Sequence, residues 1–340
     1  MGRWPFVGRA REIARAQALL GSGVGVLLLG EPGVGKSAFA RELGRQAALA
    51  GATVSHVVGH AVSSGAPFEV FARALDEHPL LHPTDQGMTE VVTRAISSPG
   101  AEPGGRRLLV VDDVQLVDDH SAEVLLRIAD AGTATIVATA PAGRQLAPAV
   151  DRLWRDGLCE RLELMPLSMA EVGDLLDKLL EGPVDGRAVQ TFAEHSGGNP
   201  LFLRELVTAA LDRALLVRRG VEGGHAWTLV SEPPVSSGIR ETVIARLAGL
   251  PDQQVSALEL VAAGEPLPAA VVADLIGDAV LDELAADGLV AVRDRLAGPE
   301  VTTAHPIYGD VVRTNLPLLR LHRLRLALAH RLESGDHPLP

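Results

Sequence analysis

At 340 residues the chain is long enough for two or three domains, and 47% apolar residues exclude wholesale disorder. A net charge of −12 disfavours non-specific nucleic-acid binding, and a single cysteine, Cys159, excludes an internal disulfide framework. No apolar run approaches the ~20 residues of a membrane span, and the start lacks the apolar core of a signal peptide, so a cytoplasmic protein with no membrane partner is expected. In the first half, short apolar runs alternate with amphipathic stretches, the pattern of a parallel sheet covered by helices. Strands are predicted at Val24–Leu29, Thr53–Val58, Leu108–Asp112, Ala134–Thr139 and Leu158–Leu164. Helical segments are predicted at Ser37–Ala50, Phe68–Leu75, Met88–Ser97 and Ser121–Asp130, with a turn-rich loop over 98–107. After Leu164 the character changes: Ser168 and Glu171 form a capping-box pair, and the reading stays helical to about Leu216. A hairpin and linker are expected over 221–238, then helices from Ile239 through Leu289 and two β-like runs, Leu289–Val292 and Val301–Ala304. Three helices followed by a hairpin is the winged-helix pattern. An amphipathic helix with leucines at helical spacing closes the sequence.

The most specific stretch is Gly30-Glu-Pro-Gly-Val-Gly-Lys-Ser37, which matches G-x-x-x-x-G-K-[ST] between a strand and a helix. Gly30, Gly33 and Gly35 let the backbone curl so that its N–H groups point inward, with Pro32, Val34 and Ala38 part of the same cradle. The helix that follows turns its positive end to the same point. Lys36 brings a point charge to the β- and γ-phosphates, and Ser37 a hydroxyl to Mg²⁺. Only Lys36 and Lys178 are lysine in this arginine-rich chain, so a lysine in the glycine loop stands out. The strand Leu108–Val111 runs into Asp112-Asp113. Asp112 is expected to hold Mg²⁺ and Asp113 to polarise the water that attacks the γ-phosphate, which makes Lys36 and Asp113 the candidate catalytic pair of a weak ATPase. Asp118 and Asp119 are read as caps of the next helix.

Taken together, FVGRAREI at 6–13, the glycine loop, VVDDVQLVDD, HSGGNPLFLRELV at 195–207 and AHPIYGDVVR at 304–313 occur in the order seen in STAND-class signalling ATPases. More narrowly, the chain resembles the ATPase module of the large LuxR-family (MalT-like) transcriptional regulators. The resemblance implies an α/β P-loop NTPase fold, with a parallel five-stranded sheet in the order 5-1-4-3-2 sandwiched by helices. An all-α helical lid and a winged-helix domain would follow. The corresponding boundaries are 1–166, 167–232, 233–316 and 317–340, the last opening a helical region. Val7, Gly8 and Arg9 would lie against the adenine, and Gly198, Asn199 and Pro200 would close over the base. His305 would reach the β-phosphate of ADP.

The implied function is an ATP/ADP switch, locked with ADP at rest, hydrolysing ATP slowly and self-associating in the ATP state. DNA would be met only through a C-terminal helix-turn-helix that these 340 residues do not contain. One departure concerns Thr139: in many relatives an arginine that senses the γ-phosphate follows shortly after it, whereas Ala140 and Pro141 follow here and the nearest arginine is Arg144. The competing reading is an AAA+ ring ATPase working on DNA as a motor or loader, with Arg152 or Arg155 acting across subunits. His56, His60, His78 and His82 lack the spacing of a zinc site.

Overall fold

The structure, a computed structural model, describes residues 4–59, 68–71, 105–143, 146–221, 224–231, 237–295 and 298–334. The helix expected at Met88–Ser97, most of that at Phe68–Leu75, Arg144, and three histidines (His60, His78, His82) lie outside the described residues. The chain divides into two compact units, 8–165, and 166–340 together with 1–7.

In the first unit, α1 (Ala10–Gly21) leads into β1 (Gly25–Gly30), and α2 (Lys36–Leu49) into β2 (Thr53–Val58). There follow β3 (Arg107–Asp112), α3 (Asp119–Asp130), β4 (Thr135–Pro141), α4 (Pro148–Arg155) and β5 (Cys159–Glu163). The five strands pair in parallel in the order β2-β3-β4-β1-β5, the expected order read from the other edge. The near-continuous apolar runs of β1, β3 and β4 follow from burial on both faces. Val26, Leu28, Val110 and Val137 face Ala16 of α1 and Phe39 and Leu43 of α2. Leu27, Leu109, Val111 and Ile136 face Leu125 and Ile128 of α3 and Leu153 of α4. Asp118 alone caps α3, its side chain accepting from the Ser121 N–H at 3.0 Å; Asp119 already lies in the helix. Cys159 is buried and its thiol is pushed up to about 12 by desolvation, so it is packing rather than chemistry.

The second unit opens with α5 (Met169–Leu179), whose Ser168–Glu171 capping box forms as the sequence specifies. Next come α6 (Gly186–Ser196) and α7 (Pro200–Asp212). The hairpin lies earlier than expected: β6 (Leu216–Val221) pairs antiparallel with β7 (Gly224–Leu229). The reason is packing. Leu216 belongs to the core, and the Trp227 indole N–H donates to the Leu180 carbonyl at 2.9 Å, which ties the hairpin to the end of α5. Then follow α8 (Ser237–Ala248), α9 (Asp252–Gly264), β8 (Leu267–Pro268), α10 (Ala269–Ile276), α11 (Asp278–Ala286), β9 (Val290–Arg293) and β10 (Glu300–Thr303). The two expected runs pair antiparallel, and the unforeseen two-residue β8 adds to the outer side of β10. After α12 (Pro306–Asn315), α13 (Leu318–Ser334) lies on α9, with Arg320 on Glu259 and Leu328 in the same core. One apolar core, including Phe192, Phe202, Leu258, Leu284, Ile307 and Leu328, runs through this unit. Among the described residues, no helix is long and apolar enough to cross a membrane.

Candidate nucleotide-phosphate site

The glycine loop joins the C-terminal end of β1 to α2. Gly30, Gly33 and Gly35 have φ of 151°, 82° and 102°, so the loop takes the left-handed turns for which glycine is suited. Gly35 is the N-cap of α2 and contributes no side chain, which leaves the helix's first N–H groups open to an anion. Val34 is buried, locking the loop onto the core, whereas Pro32 and Ala38 are half-exposed. Lys36 is buried on the loop it serves: its Nζ donates to the carbonyls of Gly30 (2.8 Å) and Glu31 (2.9 Å). The ammonium is thereby held within the curl of the loop.

Two elements distant in sequence meet here. Ser37 at the start of α2 donates its hydroxyl to Asp112 Oδ1 at the end of β3, at 2.8 Å. Thr139 of β4, fully buried, donates to the same oxygen at 2.6 Å and accepts the Asp113 N–H at 2.9 Å. Asp113 sits at φ 53°, so the chain turns sharply between the two acids and enters a single 3₁₀ turn over Val114–Leu116. Its carboxylate accepts from the Gln115 side-chain amide at 2.9 Å. Gln115 was not legible as a site residue, because only the left-handed turn at Asp113 brings its side chain back to the acid.

A hydroxyl and a carboxylate oxygen fit Mg²⁺, which takes few protein oxygens and completes its shell with water and phosphate. No cluster of three or more acidic, histidine or cysteine ligands occurs among the described residues. A cavity of about 670 Å³ lies instead at the opposite end of the sheet, lined by Leu43, Gln46, Arg106 and Thr133; no residue of the glycine loop borders it.

Gly8 and Arg9 both have positive φ, and buried Arg9 directs a guanidinium nitrogen to the Val34 carbonyl at 3.4 Å, with Glu12 at 3.5 Å. The segment is thus fastened to the glycine loop. Val7 belongs to the 166–340 unit and packs against the core of that unit.

In the second unit, Asn199 caps α7 through the Leu201 N–H (3.1 Å) and Pro200 fills its first turn. His305 caps α12: its Nδ1 accepts the Ile307 N–H at 3.1 Å, so Nε2 carries the proton and donates to the Ser196 carbonyl. The ring lies on Phe202, with centroids 4.3 Å apart. Burial pushes His305 down to about 4, so it is neutral at pH 7, and its only ring donor is already engaged. The link from His305 to the turn before Gly197-Gly198 was not foreseen. Arg152 and Arg155, exposed on α4, pair respectively with Asp156, the residue that caps the helix C-terminus, and with Asp151 of the same helix.

The fold is shared with solved structures at low identity. The structure of ORC2 from Aeropyrum pernix, described as ADPNP-ADP complexes, is 16% identical with a TM-score of 0.56, covering 98% of this chain and 96% of that one. A Walker-type ATPase of Pyrococcus abyssi is 15% identical with a TM-score of 0.59, covering 91% and 96%. None of the curated proteins matches the chain. The fold is that of the P-loop NTPases, and the segment that carries the glycine loop and the acidic strand, residues 5–138, matches the family model described as AAA ATPase domain.

Proposed function

We propose that the protein is an ATP/ADP-binding switch, with ADP the resting ligand and ATP hydrolysed slowly. The observation that carries nucleotide binding is the convergence of Lys36, Ser37 and Asp112 at one end of the parallel sheet, with Ser37 and Asp112 in direct contact. Lys36 and the loop N–H groups would hold the β- and γ-phosphates, and Ser37 and Asp112 would hold Mg²⁺, which when bound neutralises phosphate charge. Asp113 would orient and deprotonate water. Thr139 is occupied with the two acids, and no arginine follows it within the described part of β4, which supports slow turnover. The order of the motifs supports the transcriptional-regulator class, with self-association in the ATP state and DNA met through a helix-turn-helix outside these residues. Residues 233–316 are read as the winged-helix domain, 167–232 as the lid, and Val7, Gly8, Arg9 and Pro200 as adenine contacts.

The switch needs a contact that differs between ADP and ATP, and His305 is assigned that role. To meet a phosphate, its Nε2–H has to leave the Ser196 carbonyl. His305→Ala is expected to weaken ADP by about tenfold and ATP by less than threefold, on the ~1.4 kcal/mol per decade scale. Titration of both nucleotides checks this, and an unchanged ADP affinity removes His305 from the switch.

The match of residues 5–138 to the AAA ATPase domain is the observation that favours the second reading, an AAA+ ring ATPase acting on DNA. Steady-state hydrolysis with and without duplex DNA separates the two. The switch predicts less than a twofold response, and the motor at least tenfold stimulation.

A further inference from the structure

The acid pair at the end of β3 is not held symmetrically. Asp112 Oδ1 receives two hydroxyls, from Ser37 and Thr139, so its position is fixed from both neighbouring elements. The Asp113 backbone is pinned by its N–H on Thr139, but its carboxylate is oriented by a different group, the Gln115 amide two residues on. A carboxylate faced by this amide requires its NH₂ end, which settles which way the side chain lies. The other end, Gln115 Oε1, is shielded from solvent and has no hydrogen-bond partner. A buried acceptor without a partner is uncommon in folded proteins and disfavours the arrangement. The amide reaches the carboxylate of Asp113, the N-cap residue of this three-residue turn, whose side chain caps none of the turn's own N–H groups.

We infer that Gln115 is a positioning residue for hydrolysis: its amide N–H donors hold the Asp113 carboxylate in the orientation from which it takes a proton from water. The proton passes from water to Asp113 as the water oxygen bonds to the γ-phosphorus and the bond from phosphorus to the β,γ-bridging oxygen breaks, giving ADP and inorganic phosphate. The inference rests on the reading of Asp113 as the base.

The test uses the full chain, Mg²⁺-ATP at saturation and single-turnover hydrolysis. Titration with a fluorescent ATP analogue gives affinity separately. Gln115→Leu keeps the side chain's bulk and removes both polar ends, and Gln115→Glu replaces the donor with a like charge. Both variants are expected to hydrolyse ATP about tenfold more slowly, a typical size for misplacing a general base, with affinity within twofold of the parent. Because Gln115 acts through Asp113, Gln115→Leu should have no further effect in an Asp113→Asn background. Unchanged hydrolysis in both Gln115 variants, while Asp113→Asn lowers it at least ~100-fold to a residual rate, overturns the inference and leaves the base intact. The same tenfold loss on top of Asp113→Asn, or a matching loss of affinity, also overturns it in favour of a structural role. Hydrolysis unaffected by Asp113→Asn, or absent in the parent, overturns the reading of Asp113 and this inference with it.

Discussion

Replacing Lys36 by alanine is expected to lower nucleotide affinity at least ~100-fold, about 3 kcal/mol, the scale of a desolvated, charge-assisted contact to phosphate. Lys36 is the buried cation of the glycine loop, and the Gly30 and Glu31 carbonyls already orient its ammonium. Binding therefore requires little side-chain ordering, and nearly all of the electrostatic gain is realised on binding. Lys36→Met retains the apolar stem without the charge and should lose as much affinity as alanine does, which separates charge from packing. Calorimetric titration of ADP and ATP in the presence of Mg²⁺ measures the loss, with circular dichroism to confirm the fold. Affinity within threefold of the parent for both variants would mean that the phosphates are held elsewhere.

The second large effect concerns folding. Gly198→Ala is expected to destabilise the 166–340 unit by about 3 kcal/mol or more, combining a left-handed alanine with a backbone clash. Gly198 has φ 72°, and a Cβ there would stand 2.1 Å from the Leu167 carbonyl oxygen. Leu167 cannot retreat without cost, because its own N–H donates to the Gly198 carbonyl at 2.8 Å. Gly186, at the start of α6, has open space where its Cβ would be, so Gly186→Ala serves as a near-neutral control. Denaturant unfolding of the full chain reads both; a midpoint for Gly198→Ala indistinguishable from the control would refute the steric account. This has a consequence for the lid reading. A Gly198 variant that fails to bind nucleotide does not by that fact place Gly198 on the base, because the glycine already has a structural task. Pro200 and Asn199 likewise begin a helix, whatever else they do.

Charged groups divide along the same line. His305 and Lys36 are both buried, yet burial leaves one neutral and buttressed by two backbone groups and places the other among carbonyls of a phosphate loop. The sequence marks Lys36 through the glycine-loop motif and His305 only through the family resemblance. Their partners differ because His305 stands at a helix N-terminus, where a ring nitrogen can satisfy the Ile307 N–H, whereas Gly35 leaves the start of α2 uncapped by any side chain.

Local chemistry was enough to specify the five strands, the glycine loop, the acid pair and the Ser168–Glu171 cap, whereas the order of the strands followed from the family resemblance. Each depends on neighbours within a few residues: apolar runs buried on both faces, glycines at left-handed turns, a hydroxyl three residues before a carboxylate. Strand limits moved by one or two residues because ladder pairing, and not composition, ends a strand. Tertiary structure alone decided the rest. The hairpin begins at Leu216 because that residue joins the core and Trp227 finds a carbonyl 47 residues away. Ser37 and Thr139, 102 positions apart in the numbering, meet on one oxygen of Asp112, and Gln115 returns to Asp113 only through a left-handed turn. Such contacts depend on where the backbone goes after it leaves each motif, and that path is set by the packing of the whole sheet.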